Sequence, residues 1–183
     1  MKRNLLILTL VFCSVALRAQ ESTVTLSGGY VFANLEDADE NATGYRINAL
    51  FEYNPQGGML AHGLSAGYIN TKATSTIGSE TTEYRLVNLP VYYAPKLLFG
   101  NESFKAFIKG ALGMHFSNYE RTGALGALNT WDAGFYGGAS LGIIKYFNEQ
   151  VFINVEYEWA YLSNSAYRDG FLNSAMMGIG FRF

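Results

Sequence analysis

The chain has 183 residues, 13 of them basic and 15 acidic, a formal net charge of −2 that disfavours a nucleic-acid partner. Tyr (13), Phe (13) and Gly (20) are abundant and Pro (3) is scarce, and no run beyond the N-terminal one approaches the ~20 apolar residues of a spanning helix. No stretch has a convincing helical period, so the composition points to an all-β chain.

Residues 1–19 begin with Lys2 and Arg3, continue through an apolar run from Leu5 to Leu17 and reach Arg18-Ala19, the layout of a secretory signal peptide. Cys13 lies inside the run behind Phe12, where a lipoprotein signal has a small residue. Cleavage after Ala19 removes this only cysteine together with Lys2, Arg3 and Arg18. The mature chain, 20–183, is then expected to carry 10 basic against 15 acidic side chains, with no disulfide and no thiolate metal ligand.

Alternate residues separate into two chemical sets along eight segments, the period of two that marks a strand. Strand one, 22–33, sets Val24, Leu26, Tyr30 and Phe32 against Thr23, Thr25, Ser27 and Gly29. In strand two, 43–53, Tyr45, Ile47, Ala49, Phe51 and Tyr53 alternate with Gly44, Arg46, Asn48, Leu50 and Glu52, Leu50 alone breaking the separation. Strand three, 60–71, has the weakest pattern, Leu64, Ala66 and Tyr68 against Ser65 and Gly67. Strand four, 82–94, changes phase: Tyr84 and Leu86 are even, whereas Val87, Leu89, Val91 and Tyr93 are odd. A bulge between Val87 and Pro90 is expected there, since a bulge tolerates proline.

Strand five, 104–119, places Phe104, Ala106, Ile108, Leu112, Met114 and Phe116 opposite Lys105, Lys109, His115 and Ser117. Strand six, 131–146, opposes Phe135, Ala139, Leu141 and Ile143 to Asp132, Gly134, Gly138, Ser140 and Gly142. Strand seven, 151–162, opposes Val151, Ile153, Val155, Tyr157, Trp159 and Tyr161 to Asn154, Glu156 and Glu158. Strand eight, 171–183, opposes Ala175, Met177, Ile179, Phe181 and Phe183 to Met176, Gly178, Gly180 and Arg182, and ends on an aromatic residue.

The connections alternate between long polar ones (34–42, 72–81, 120–130, 163–170) and mostly shorter turns (54–59, 95–103, 147–150). Short turns at one end, long loops at the other and an even strand number describe an antiparallel up-and-down transmembrane β-barrel, with both termini on the short-turn side. A soluble barrel with an apolar pocket has the same alternation. Three features favour lipid on the apolar face. Aromatics cluster near the strand ends (Tyr30, Tyr45, Tyr53, Phe104, Phe116, Trp131, Trp159, Tyr161, Phe181) as in interfacial girdles; the opposite face is rich in Gly and Ser; and that face holds charges of both signs.

The signal peptide, the eight alternating strands and terminal Phe183 resemble the small outer-membrane barrels of the OmpA and OmpX type. YRLVNLPVYY (84–93) and FIKGALG (107–113) are similar to segments of the "outer membrane protein beta-barrel domain" or porin-like family. The resemblance implies a bacterial outer-membrane location with periplasmic termini, contact with outer-membrane lipid, and no defined activity for most members. It also implies that Phe181 and Phe183 form an assembly signal for the barrel assembly machinery.

Ten charged residues fall on the inward face: Arg46, Arg85, Lys105, Lys109 and Arg182 against Glu52, Glu83, Asp132, Glu156 and Glu158. Five of each sign in a confined lumen predict a paired network acting as a structural plug, with Lys109 meeting Glu156 or Glu158; an ion path is the alternative. His115-Phe116-Ser117-Asn118 is similar to the H-x-S-N of lipid A deacylases of the PagL type, with Asp132 as the imperfect third member. In those enzymes the pair faces lipid, whereas here Leu112, Met114 and Phe116 hold that face. His62 and His115 have no ligand spacing, so no metal or cofactor is expected. Glu36, Asp37, Asp39 and Glu40 read as a solvated acidic loop, lacking the spacing of a calcium loop. The expectation is a monomeric, non-enzymatic barrel with a structural, adhesion or surface-interaction role through its external loops; the alternatives are a PagL-like hydrolase using His115 and Ser117, or a narrow pore.

Overall fold

The computed structural model describes residues 22–36, 41–55, 58–77, 80–123 and 126–183. The signal-peptide segment with Cys13, and Asp37, Asp39 and Glu40 of the acidic loop, lie outside the described residues.

Nine strand segments follow one another: β1 (Ser22–Leu35), β2 (Asn41–Tyr53), β3 (Leu60–Ile77), β4 (Glu80–Tyr93), β5 (Lys96–Gly100), β6 (Phe104–Gly123), β7 (Leu128–Tyr146), β8 (Val151–Leu162) and β9 (Tyr167–Arg182). Each pairs antiparallel with its neighbours, and β9 pairs with β1 to close the ring. β4 and β5 share one position in it, since both lie between β3 and β6. The result is a closed eight-stranded barrel. Phe183 takes part in the closure: its N–H donates to the Ser22 carbonyl at 2.9 Å, and the Ser22 N–H donates back at 3.1 Å. Closure leaves no sheet edge in the hydrocarbon, which lipid demands because it offers the backbone no partner.

From Arg46, hydrogen-bonded rows lead one way through Gly29, Met176, Glu156 and Gly142 to Phe107. The other way, through Ile69 and Asn88, they lead to Ser117, ten residues further along β6. That stagger tilts the strands steeply, roughly 35–45°. The interior is narrow enough that glycines seat its rings: a Cβ on Gly142 would lie 2.5 Å from the Phe107 ring, and one on Gly180 would collide with Phe152.

The alternation is continuous through β4, which corrects the expected bulge. Tyr84, Leu86, Asn88, Pro90 and Tyr92 are all buried inside, while Glu83, Arg85, Leu89, Val91 and Tyr93 are exposed outside. Pairing with β3 keeps one register on both sides of Pro90. What changes along β4 is the surroundings. Across β3, β4, β6 and β7, outward rows read Tyr68, Leu89, Phe116, Ala133; then Asn70, Val87, Asn118, Trp131; then Lys72, Arg85, Glu120, Asn129; then Thr74, Glu83, Thr122. The outer wall passes from lipid to water within two rows, and below it exposed Leu26, Ile108, Leu141, Val155 and Ile179 form the apolar belt. The actual break in the strand is at Ala94-Pro95, where a Gly63–Ala94 pair of backbone bonds and a bond from the Gly110 N–H to the Pro95 carbonyl carry the ladder across.

Two of the long connections are strand instead of loop. β3 and β4 continue to Ile77 and Glu80, and β6 and β7 to Gly123 and Leu128, so these four strands rise as a sheet above the rest of the ring. β8 stops at Leu162, opposite Tyr136. Inside this upper part an apolar cluster includes Val31, Ala33, Leu35, Ile69, Ala73, Tyr84, Leu86, Leu162 and Leu172.

Candidate functional site

The lumen and the upper rim are the two places where chemistry could reside. At mid-height the inward positions of β2, β6 and β8 bring together Arg46, Lys109, Glu156 and Glu158, all buried. Arg46 Nη1 donates to Glu158 Oε1 at 2.5 Å, and the Tyr136 hydroxyl donates to the same oxygen. Arg46 Nη2 donates to the Tyr92 hydroxyl at 3.0 Å, and Tyr92 donates in turn to Asn48 Oδ1. Lys109 Nζ lies 2.5 Å from Glu156 Oε1 and 3.7 Å from Glu158 Oε2. Stacked rings of Tyr92 and Tyr136, 4.9 Å apart, flank the guanidinium.

Lower in the lumen Lys96 Nζ pairs with Glu52 Oε1 at 2.5 Å and lies over the Phe107 ring, while Thr23 donates to Glu52 Oε2 at 3.3 Å. Among the described residues the buried carboxylates and cations thus number three each: Glu52, Glu156 and Glu158, with Arg46, Lys96 and Lys109. A neutral set with every member paired avoids the penalty of an isolated buried ion. Phe107, Ile144 and Phe152 close this end, where a cavity of about 30 Å³ remains.

Of the other charged residues expected in the lumen, Glu83, Arg85 and Asp132 are elsewhere. Glu83 and Arg85 are exposed on the outer wall above the apolar belt, Arg85 lying 3.5 Å from Glu120 with 46% of its side chain accessible. The physical reason is the continuous phase of β4. Asp132 is exposed at the upper rim and accepts from the Ala133 N–H. Lys105 and Arg182 are half-buried at the lower mouth of the lumen, lining the same small cavity as Glu52 and Lys96, both beside the Tyr146 ring. Conversely, Lys96, expected in a turn because it follows Pro95, is buried in the lumen. Continuing the even-inward phase past the proline would have found it, and the same parity would have found Tyr92.

His115 and Ser117 do meet, with Ser117 Oγ 2.8 Å from His115 Nδ1. The pair is enclosed: His115 is 0% and Ser117 4% exposed. His115 Nε2 faces the Ser163 carbonyl at 2.8 Å where a triad would need a carboxylate, and Ser117 donates to Asn88 Oδ1 at 2.7 Å. Asn88 also donates to the Tyr167 hydroxyl, which lies 2.8 Å from Thr71 Oγ1. These bonds tie β9 across the lumen to β3 and β4 and bring the β8–β9 turn down over it. His62 is on the outer wall, 2.5 Å from the Tyr93 hydroxyl, so the two histidines are on opposite faces of the barrel wall. Among the described residues no three His, Cys, Asp or Glu side chains gather as a metal-ligand set.

At the rim, β7 runs on past its last partner in β8. The Phe135 N–H and carbonyl are bonded by Ser163, and the Ala133 carbonyl by the Asn164 amide. The next residues facing that side, Trp131 and Asn129, have no backbone partner on it among the described residues; Trp131 is 66% exposed.

The chain matches the family described as "Outer membrane protein beta-barrel domain" over residues 5–183. No curated protein matches it. Among solved structures it is similar to Neisserial surface protein A (NspA), at 13% identity and a TM-score of 0.63, covering 88% of this chain and 97% of that one. It is also similar to Ail, the attachment invasion locus protein of Yersinia pestis, at 17% identity and a TM-score of 0.55, covering 89% and 98%. A major outer membrane protein from Thermus thermophilus aligns at 9% identity with a TM-score of 0.59, over 88% and 99%. At such identities the likeness is one of fold.

Proposed function

The chain belongs to the outer membrane protein beta-barrel family, and on that footing we propose that it is a non-enzymatic surface-interaction protein, with its termini in the periplasm and its projecting sheet outside the cell. The observation that carries the reading is the sheet itself. β3, β4, β6 and β7 extend beyond the apolar belt to Ile77, Glu80, Gly123 and Leu128, an investment that anchoring in lipid does not require. The attachment role in the printed name of Ail is in keeping with it. A pore is disfavoured by the apolar layers above and below the paired charges, and a hydrolase by the enclosure of Ser117. Phe181 and Phe183, exposed on the outer wall of the closing strand, are proposed to present the assembly signal.

The test is to trim the β6–β7 hairpin, replacing residues 119–130 with a short turn, and to compare adhesion of cells carrying the full and trimmed proteins to epithelial monolayers. Adhesion is expected to fall to the level of the deletion strain while the heat-modifiable band persists. Undiminished adhesion of cells carrying the trimmed protein would replace this reading with a purely structural one.

A further inference from the structure

Lys72 on β3 stands directly opposite Arg85 on β4, and both side chains point outward. Like charges in directly opposed cross-strand positions repel. Arg85 is only loosely compensated by Glu120 at 3.5 Å, and Lys72 has no ion-pair partner among the described residues. The pair also has a defined height. It lies one row from Val87 and Trp131, and because hydrogen-bonded rows climb from β3 towards β7 it lies near the level of Trp131; exposed tryptophan favours the headgroup level of a bilayer. Two adjacent cations therefore lie at the level of lipid phosphates.

The surroundings narrow the ligand. Lys72 and Arg85 share a hollow of about 380 Å³ with Glu83, Glu120, Thr74 and Thr122. Two carboxylates weaken the case for a simple anion. They suit a ligand that presents hydroxyl donors beside a phosphate, because carboxylates accept hydrogen bonds from sugar hydroxyls while Lys and Arg hold the phosphate. We propose that this hollow binds a phosphorylated glycolipid of the outer leaflet, of lipid A type, with Lys72 and Arg85 on the phosphate and Glu83 and Glu120 on sugar hydroxyls. The leaflet follows from the orientation proposed above; the binding chemistry does not depend on the adhesive role.

The experiment uses the full-length barrel in phosphatidylcholine nanodiscs containing graded lipid A, with Trp131 emission followed in a Trp159→Phe background, since the chain has 2 tryptophans. Both leaflets carry the same lipid, so neither orientation nor adhesion affects the outcome. A saturable change is expected. Its half-saturating lipid fraction should rise about fivefold when either Lys72 or Arg85 is replaced by Ser, and roughly twenty-fivefold in the double variant, from the usual contribution of one cation near a charged surface. Lys72→Arg should keep the wild-type curve. Unchanged titration in the double variant overturns the proposal. So does an equal response of the wild type to dephosphorylated lipid A, or to phosphatidylglycerol, which would reduce the effect to headgroup charge.

Discussion

The lower and upper parts of the barrel use one alternation for opposite ends. In the belt, outward Leu26, Leu141 and Ile179 meet lipid while inward Arg46, Lys109, Glu156 and Glu158 pair among themselves. Above it, in the same alternation, outward Lys72, Arg85 and Glu120 leave the hydrocarbon while inward Ala73, Tyr84 and Leu86 form an apolar core. The upper part thus has the polarity of a water-soluble β-sheet, apolar within and polar without, on top of a membrane barrel. Parity says which side of the wall a residue is on; only the solvent at that height says which chemistry belongs there.

The largest expected effect comes from leaving the lower lumen unpaired. Glu158 is the one carboxylate within 4 Å of both Arg46 and Lys109, so Glu158→Leu abandons two buried cations to Glu156 alone. Breaking a buried pair typically costs ~3 to 5 kcal/mol, and the variant should unfold at markedly lower urea or fail to give the heat-modified band. Adding Arg46→Met should recover part of that loss, since the double change removes both partners. Wild-type stability in the single variant would mean that water reaches the network and that the lumen is not a dry plug.

A smaller effect separates the two outer walls. Leu141 is in the belt, with outward neighbours Ile108 and Tyr157 across the ladder. Leu141→Arg should cost ~2 to 4 kcal/mol in bilayer unfolding, as a lipid-facing charge near the midplane does. Thr74→Arg, outward on the charged upper wall, should change stability by no more than about 0.5 kcal/mol. Equal costs would place the hydrocarbon boundary elsewhere than at the row of Val87 and Trp131.

Much of this division was legible in the sequence. The eight strand positions, the closed barrel and the inward placement of Arg46, Glu52, Lys109, Glu156 and Glu158 follow from a period of two applied to each hydrophobic run. The height of the boundary did not follow, because hydropathy alone cannot separate a residue that changes face from one whose surroundings change. At Tyr84 and Leu86 the apolar set switches parity, which looks like a bulge but marks the point where the solvent outside turns from lipid to water. The upper strands were misread as loops for the same reason: Thr74-Ser75-Thr76 and Thr81-Thr82 have few apolar residues to display the alternation, although β propensity suits them to strands.

The smallest effect compares one interaction type in the two parts. Glu156 and Glu120 each accept a cation from a β-strand wall, Lys109 at 2.5 Å and Arg85 at 3.5 Å. The first pair is buried, 1% and 4% accessible, so Glu156→Gln removes the closer of the two carboxylates facing Lys109 in a setting that water does not screen. The second is 46% and 39% accessible, so Arg85 regains hydration as it loses its partner, and exposed pairs contribute roughly 0 to 1 kcal/mol. Glu120→Gln should therefore leave the unfolding midpoint within experimental scatter at physiological salt, with any difference fading as salt is raised, because the Debye length shortens to ~3 Å at 1 M. Glu156→Gln should be clearly destabilised at every salt concentration. If the two variants responded alike, in size and in salt dependence, the lumen would be as wet as the outer wall, and the distinction between a membrane barrel sealed by its own charges and the water-facing sheet above it would fail.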